Sequence, residues 1–268
     1  MTKTEIFDAL WSEYIRKTPA VSEVYSLFAA ESETVLNDHV AFRTFDDPRV
    51  NIDVLAKPFI EAGYVEKGEY HFKAKKLFAK HYEHHGDTDA PRVFISQLLT
   101  GQFSDFVQET VKSWINAIPG KDLASNQLIL MGNPWTKPSF DTYEKLRNES
   151  EYAAWLYVYG FCANHFTVSI NALQKLNNVQ LVNQFLKDHG FALNDAGGEI
   201  KGNPEQLLEQ SSIKSGMVKV DFQEGAHDIP GCYYEFALRY PQADGNIFSG
   251  FIAGSADKIF ESTNFYKK

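Results

Sequence analysis

Three short segments each carry, on one face of a candidate strand, a residue able to bind a metal. Residues 37–43, 164–169 and 233–239 read as β-strands. Alternate side chains of a strand share a face, so His39 travels with Ala41 and Arg43, His165 with Thr167 and Ser169, and Glu235 with Ala237 and Arg239. The neighbours of each candidate ligand are small or polar, where a packed interior favours larger apolar groups. Helical spacing recurs at residues 5–14 and 20–30, and again at 104–118 and 140–159. The last two flank a turn-rich stretch, 128–138, punctuated by Gly132-Asn133-Pro134 and Lys137-Pro138.

The pattern occurs twice. Residues 37–65 and 164–193 each begin with a strand bearing a histidine, pass through a helix, and end in a phenylalanine followed by glycine and an aromatic. Gly63 and Gly190 sit where a helix C-cap is expected. Further strands are predicted at 69–78 and 92–98 after the first unit, and at 217–222 and 232–240 after the second. Two units that each leave one sheet face open can close on one another. The order resembles the paired βαβββ modules of the vicinal oxygen chelate superfamily. That implies an α+β fold with a curved, barrel-like sheet forming a metal cleft, with added helices. The expected organisation is a single domain over 1–268, with N-terminal helices at 1–34, a first module at 35–100, a helical insertion at 101–160 and a second module at 161–268.

Composition narrows the function. At 268 residues with 44% hydrophobic side chains the chain can bury a substantial core, and 21 Phe with 13 Tyr suit strands and a shaped pocket. A formal charge of −9 argues against nucleic acid, which needs clustered Lys and Arg. An anionic substrate must therefore be drawn by local positive charge. No apolar run is long enough to span a bilayer, and residues 1–10 lack a leader pattern, so a soluble cytoplasmic protein is expected. Cys162 and Cys232 have no CxxC spacing and read as reduced, buried hydrophobes.

A single histidine on a strand is more often a hydrogen-bonded core residue than a ligand, and a single glutamate could simply face solvent. Equivalent placement of His39 and His165 in the repeat is what favours the metal reading. Two neutral imidazoles and one carboxylate form the facial set of non-haem iron oxygenases, leaving open positions for substrate and oxygen. Fe(II) fits best, with Mn, Co, Ni or Zn able to occupy the same ligands in purified protein. Arg43 shares the face of His39, and its guanidinium suits bidentate binding of a carboxylate; Arg239 has the same logic beside Glu235. Gln97 ends the first module at the position Glu235 takes in the second, as a fourth contact or an outer hydrogen bonder. The run from His81 to His85 precedes a polar turn and reads as a solvated loop.

Four stretches together resemble the 2-oxoadipate dioxygenase/decarboxylase family: Asn37-Asp38-His39-Val40-Ala41-Phe42-Arg43-Thr44-Phe45, Glu149-Ser150-Glu151-Tyr152-Ala153-Ala154-Trp155-Leu156, Asn164-His165-Phe166-Thr167-Val168 and Ile259-Phe260-Glu261-Ser262-Thr263. The resemblance implies Fe(II) on His39, His165 and Glu235, a substrate carboxylate on Arg43, and a substrate contact from Ser255 in the loop after Gly254. It also implies the reaction of 2-oxoadipate with O2 to give 2-hydroxyglutarate and CO2, within lysine catabolism, with no second 2-oxo acid as cosubstrate. The competing readings are a glyoxalase-like isomerase or metal-dependent hydrolase, in which the ion acts only as a Lewis acid, and a non-catalytic module binding a small anion. Consumption of O2 separates the first of these from the oxygenase.

Overall fold

The structure is a computed structural model that describes residues 1–123, 126–254 and 258. In chain order the elements are α1 (Lys3–Lys17), α2 (Pro19–Ala30), β1 (Asn37–Phe45), α3 (Ile52–Glu61), β2 (Tyr64–Phe72), β3 (Leu77–His84), β4 (Arg92–Leu98), α4 (Asp105–Ala117), α5 (Gly120–Leu123), α6 (Phe140–Glu149), α7 (Glu151–Tyr159), β5 (Ala163–Ser169), α8 (Val179–Asp188), β6 (Lys201–Asn203), β7 (Leu208–Ser212), β8 (Met217–Phe222), β9 (Gly225–Pro230) and β10 (Tyr233–Arg239). No described helix is long and apolar enough to cross a membrane.

Two compact units emerge, and they interleave along the chain. The first comprises Met1–Tyr14, Ala41–Asn164 and Met217–Ile229; the second comprises Ile15–Val40, His165–Gly216 and the described residues from Pro230 onward. β1 runs through the boundary. The division falls between Val40 and Ala41.

In the first unit β2, β3 and β4 form an antiparallel run. Asn51 caps α3 by accepting from Val54 N at 3.1 Å, and Gly63 closes it with φ +98°. Phe59 on α3 packs against Phe42 of β1, ring centroids 5.6 Å apart. The insertion predicted as one helix over 140–159 is two. Ser150 breaks it with extended backbone (φ −153°), and its hydroxyl caps α7 by accepting from Ala153 N. α7 then buries every residue from Tyr152 to Val158, a helix covered all round.

The second unit repeats the plan: β5, helix α8, then β6, β7 and β10. β10 pairs parallel with β5 and antiparallel with β7, which pairs antiparallel with β6. Asn178 caps α8 through Leu181 N at 2.8 Å, and Gly190 closes it with φ +85°. Phe28 of α2 meets Phe185 of α8 at 5.6 Å and Phe236 of β10 at 5.9 Å, joining helices to sheet. Each module thus has the neighbour order second, third, fourth, first strand. This is the βαβββ repeat of the vicinal oxygen chelate type.

Three strand assignments change. The stretch 69–78 is not one strand: a tight turn at Lys73–Lys75, closed by Lys76 at φ +54°, divides β2 from β3. The His81 run is not a solvated loop. It continues β3, where His81 is buried between Tyr70 Oη on Nδ1 and Glu83 Oε1 on Nε2, both at 2.9 Å. Residues 217–222 do form a strand, but β8 pairs only with β9 in a hairpin of the first unit, and β6 and β7 supply the second module's strands. Glu224 in that hairpin accepts from Ser139 Oγ and Phe140 N at the start of α6, which explains its position.

Candidate metal centre

His39, His165 and Glu235 come together inside the second unit, their ligand atoms all within 4.8 Å of one another. Register accounts for this. Glu235 of β10 lies opposite Thr167 of β5, so His165, two residues earlier, shares its face. The separations are 3.1 Å from His165 Nε2 to Glu235 Oε2 and 3.7 Å from His39 Nε2 to Glu235 Oε1. All three side chains are at most 6% exposed. Among the described residues this is the one such His, Cys, Asp and Glu cluster.

The surroundings fix how each ligand presents itself. Asp38 Oδ1 lies 2.7 Å from His39 Nδ1. Burial pushes the Asp38 carboxyl up, but the Arg239 guanidinium and the His39 ring outweigh it and hold it far below the usual range. An ionised Asp38 can only accept, so Nδ1 carries the proton and Nε2 turns its lone pair toward Glu235. The Thr167 hydroxyl lies 3.0 Å from that Nε2 and can donate to it. Glu235 is likewise held ionised: burial opposes this, and His165, His39 and the Gln210 amide donor prevail. Two imidazoles and one carboxylate, with His39 and Glu235 each held by an outer partner, fit a divalent first-row ion.

Aromatic rings close the surroundings. Tyr233 stacks on the His165 ring at 4.6 Å, and Phe251 meets His39 edge-on at 4.9 Å. Arg239 ties these parts together. It donates to Asp38 through Nε (2.7 Å) and Nη2 (2.9 Å), and through Nη1 to the carbonyls of Phe248 (3.1 Å) and Gly250 (2.7 Å), with its guanidinium 5.1 Å from the Phe251 ring centre. Its donors are thus engaged in holding His39's partner and the 248–251 segment, a different task from the substrate contact expected of it.

Arg43 is buried in the first unit, its guanidinium 5.0 Å from the ring centres of both Tyr152 and Trp155 and 3.8 Å from Glu151 Oε1. Gln97 also belongs to the first unit, where its Oε1 accepts from Ile52 N at the start of α3. Ser255 and the 259–263 stretch lie outside the described residues. Sequence reasoning missed Asp38 and Gln210 as partners of the ligands. An acid directly beside a candidate histidine ligand is an available signal for Asp38; Gln210 sits on β7, which was not predicted.

Paired βαβββ modules carrying a buried His-His-Glu cluster define a protein of the vicinal oxygen chelate type with a candidate metal centre. Within it, the family model for 2-oxoadipate dioxygenase/decarboxylase matches residues 6–128 and 124–243, and the chain belongs to that family of oxidoreductases. A chloroplastic 2-oxoadipate dioxygenase/decarboxylase of Arabidopsis thaliana is 36% identical over 275 residues, covering 93% of this chain and 74% of the relative. The crystal structure of hydroxyglutarate synthase from Oryza sativa in complex with 2-oxoadipate is 32% identical and superposes with a TM-score of 0.90, covering 97% of this chain and 91% of that one. A Shewanella frigidimarina structure, provisionally assigned as a hydrolase, is 46% identical with a TM-score of 0.88, covering 94% and 98%.

Proposed function

We propose that this protein uses Fe(II) at His39, His165 and Glu235 to convert 2-oxoadipate and O2 to 2-hydroxyglutarate and CO2, a step of lysine catabolism. The buried His-His-Glu cluster carries this reading, because it supplies in one place the donor set that the family's chemistry needs. A bound Fe(II) supplies a Lewis-acidic, redox-active centre for a 2-oxo acid and O2. Both oxygen atoms end in products and the substrate provides all the electrons, so no further reductant is needed.

The protein's own groups do the positioning. Asp38 keeps the His39 proton on Nδ1, and Gln210 holds one oxygen of Glu235. Phe251 and Tyr233 present apolar ring surface beside the two imidazoles, which limits water there. Arg43 binds a substrate carboxylate, as the alternation of β1 and the family resemblance support, and Ser255 contributes a further contact.

The test is oxygen uptake by anaerobically Fe(II)-loaded protein on adding 2-oxoadipate, with product identified by mass spectrometry. Stoichiometric uptake with 2-hydroxyglutarate formed, abolished in His165→Ala, is the expected result. Turnover of a dicarboxylate without O2 consumption would instead favour the Lewis-acid isomerase or hydrolase.

A further inference from the structure

The orientation of the Gln210 side chain follows from its partner. Its Nε2 donates to Glu235 Oε1, so the amide turns its nitrogen toward the carboxylate. The carbonyl Oε1 therefore lies roughly 2.2 Å from that nitrogen, as amide bond lengths require, with its lone pairs not used by Glu235. Gln210 is 3% exposed, and among the described residues no donor reaches Oε1. Lys201, directly across the β6–β7 pairing, does not supply one, because its ammonium donates to the carbonyls of Asn194, Gly198 and Glu199. A buried carbonyl left without a donor is uncommon, and beside a ligand cluster it is open to a hydrogen-bond donor brought by a bound molecule.

The chemistry of substrate and product says which donor that is. A 2-oxo dicarboxylate dianion has no O–H group, and a 2-hydroxy dicarboxylate has one, at the carbon that the reaction modifies. We propose that Gln210 Oε1 accepts a hydrogen bond from the hydroxyl of a 2-hydroxy dicarboxylate bound at the His39–His165–Glu235 centre. Gln210 is then the residue by which this site distinguishes its hydroxylated product from acids lacking the hydroxyl, and it sets how tightly product is retained. This rests on the proposed function and extends it to a determinant of product affinity.

Calorimetric titration of the Zn(II)-loaded protein, with metal occupancy verified, measures this without turnover. The ligands are each enantiomer of 2-hydroxyglutarate and glutarate, which has the same length and lacks the hydroxyl. In Gln210→Met the preference for 2-hydroxyglutarate over glutarate should fall by about five- to tenfold, the effect of one hydrogen bond. Loss of the donor to Glu235 acts on both ligands alike, so the ratio isolates the carbonyl. Gln210→Lys keeps a donor for Glu235 and has no acceptor, and it should show the same loss of preference. An unchanged ratio in both variants, with both acids binding, overturns the assignment of Gln210 and leaves the proposed function standing. If neither acid binds the loaded wild-type protein, the proposed function falls and this assignment falls with it.

Discussion

Arg239 grips Asp38 with two hydrogen bonds, Nε to Oδ2 at 2.7 Å and Nη2 to Oδ1 at 2.9 Å, and the same Oδ1 receives the Nδ1 proton of His39. Both partners are 2% exposed. A buried pair of this kind is costly to break from one side, because the remaining charge stays buried and uncompensated. Its benefit here is orientation: the carboxylate that holds a metal-binding imidazole is itself held.

Asp38→Asn should therefore weaken metal binding by about 10–100-fold, the usual effect of losing a ligand's outer partner. It should also lower global stability by about 3 kcal/mol, since Arg239 loses its counter-charge. Chelator competition reads the first effect and urea unfolding the second. Unchanged metal affinity would remove Asp38 from the centre's support.

Arg43→Ala and His39→Ala should fail in different ways. With Arg43 truncated, the protein should still bind one equivalent of metal but lose about a hundredfold in kcat/KM for 2-oxoadipate, from mispositioning of the substrate. With His39 truncated, the metal itself should be lost. Metal analysis alongside kinetics distinguishes them, and equal metal loss in both variants would contradict this division of roles.

Glu33 offers a test of stability away from the centre. Its carboxylate accepts from the backbone N–H groups of Gln174, Lys175 and Leu176, at 2.6, 2.7 and 2.9 Å. Burial pushes its carboxyl up, but those three donors and the Lys175 charge bring it below the ordinary value of 4.5. The unfolded chain therefore takes up the proton first as pH falls. The stabilisation is complete above the ordinary carboxylate range and is lost as pH drops through the lowered folded value. Glu33→Gln should cost about 2 kcal/mol at neutral pH. In urea unfolding the gap between wild type and variant should close toward pH 3, and a gap independent of pH would show that charge has no part in it.

How far the centre could be read from the chain depended on the range of each interaction. His39, His165 and Glu235 were legible because strand alternation puts them beside small or polar neighbours and because the repeat aligns the histidines. The pairing of Arg239 with Asp38 is not legible in the sequence, because the two are 201 positions apart and no local pattern links them. Polar composition misled at His81, whose nitrogens are satisfied by Tyr70 and Glu83 inside a strand. The alternation at 217–222 was real, but alternation identifies a strand without saying which partner it pairs with. The short β6 and β7, with Gln210 between Glu209 and Ser211, had too little apolar content to be recognised, and so the amide that braces Glu235 was missed as well.

The interleaving of the units has a bearing on how the molecule assembles. β10 cannot take its place between β5 and β7 until the chain has been made past the β8–β9 hairpin, and Glu235 arrives only with it. His39 is synthesised well before Glu235 and must wait for it. Contacts of such long sequence separation form slowly, because their loop closures must be met before they stabilise anything. An ion that needs all three ligands binds only the finished arrangement, and by mass action draws the chain toward it. Metal supply would thus act during maturation as a late clasp, fastening strands that are distant in the chain.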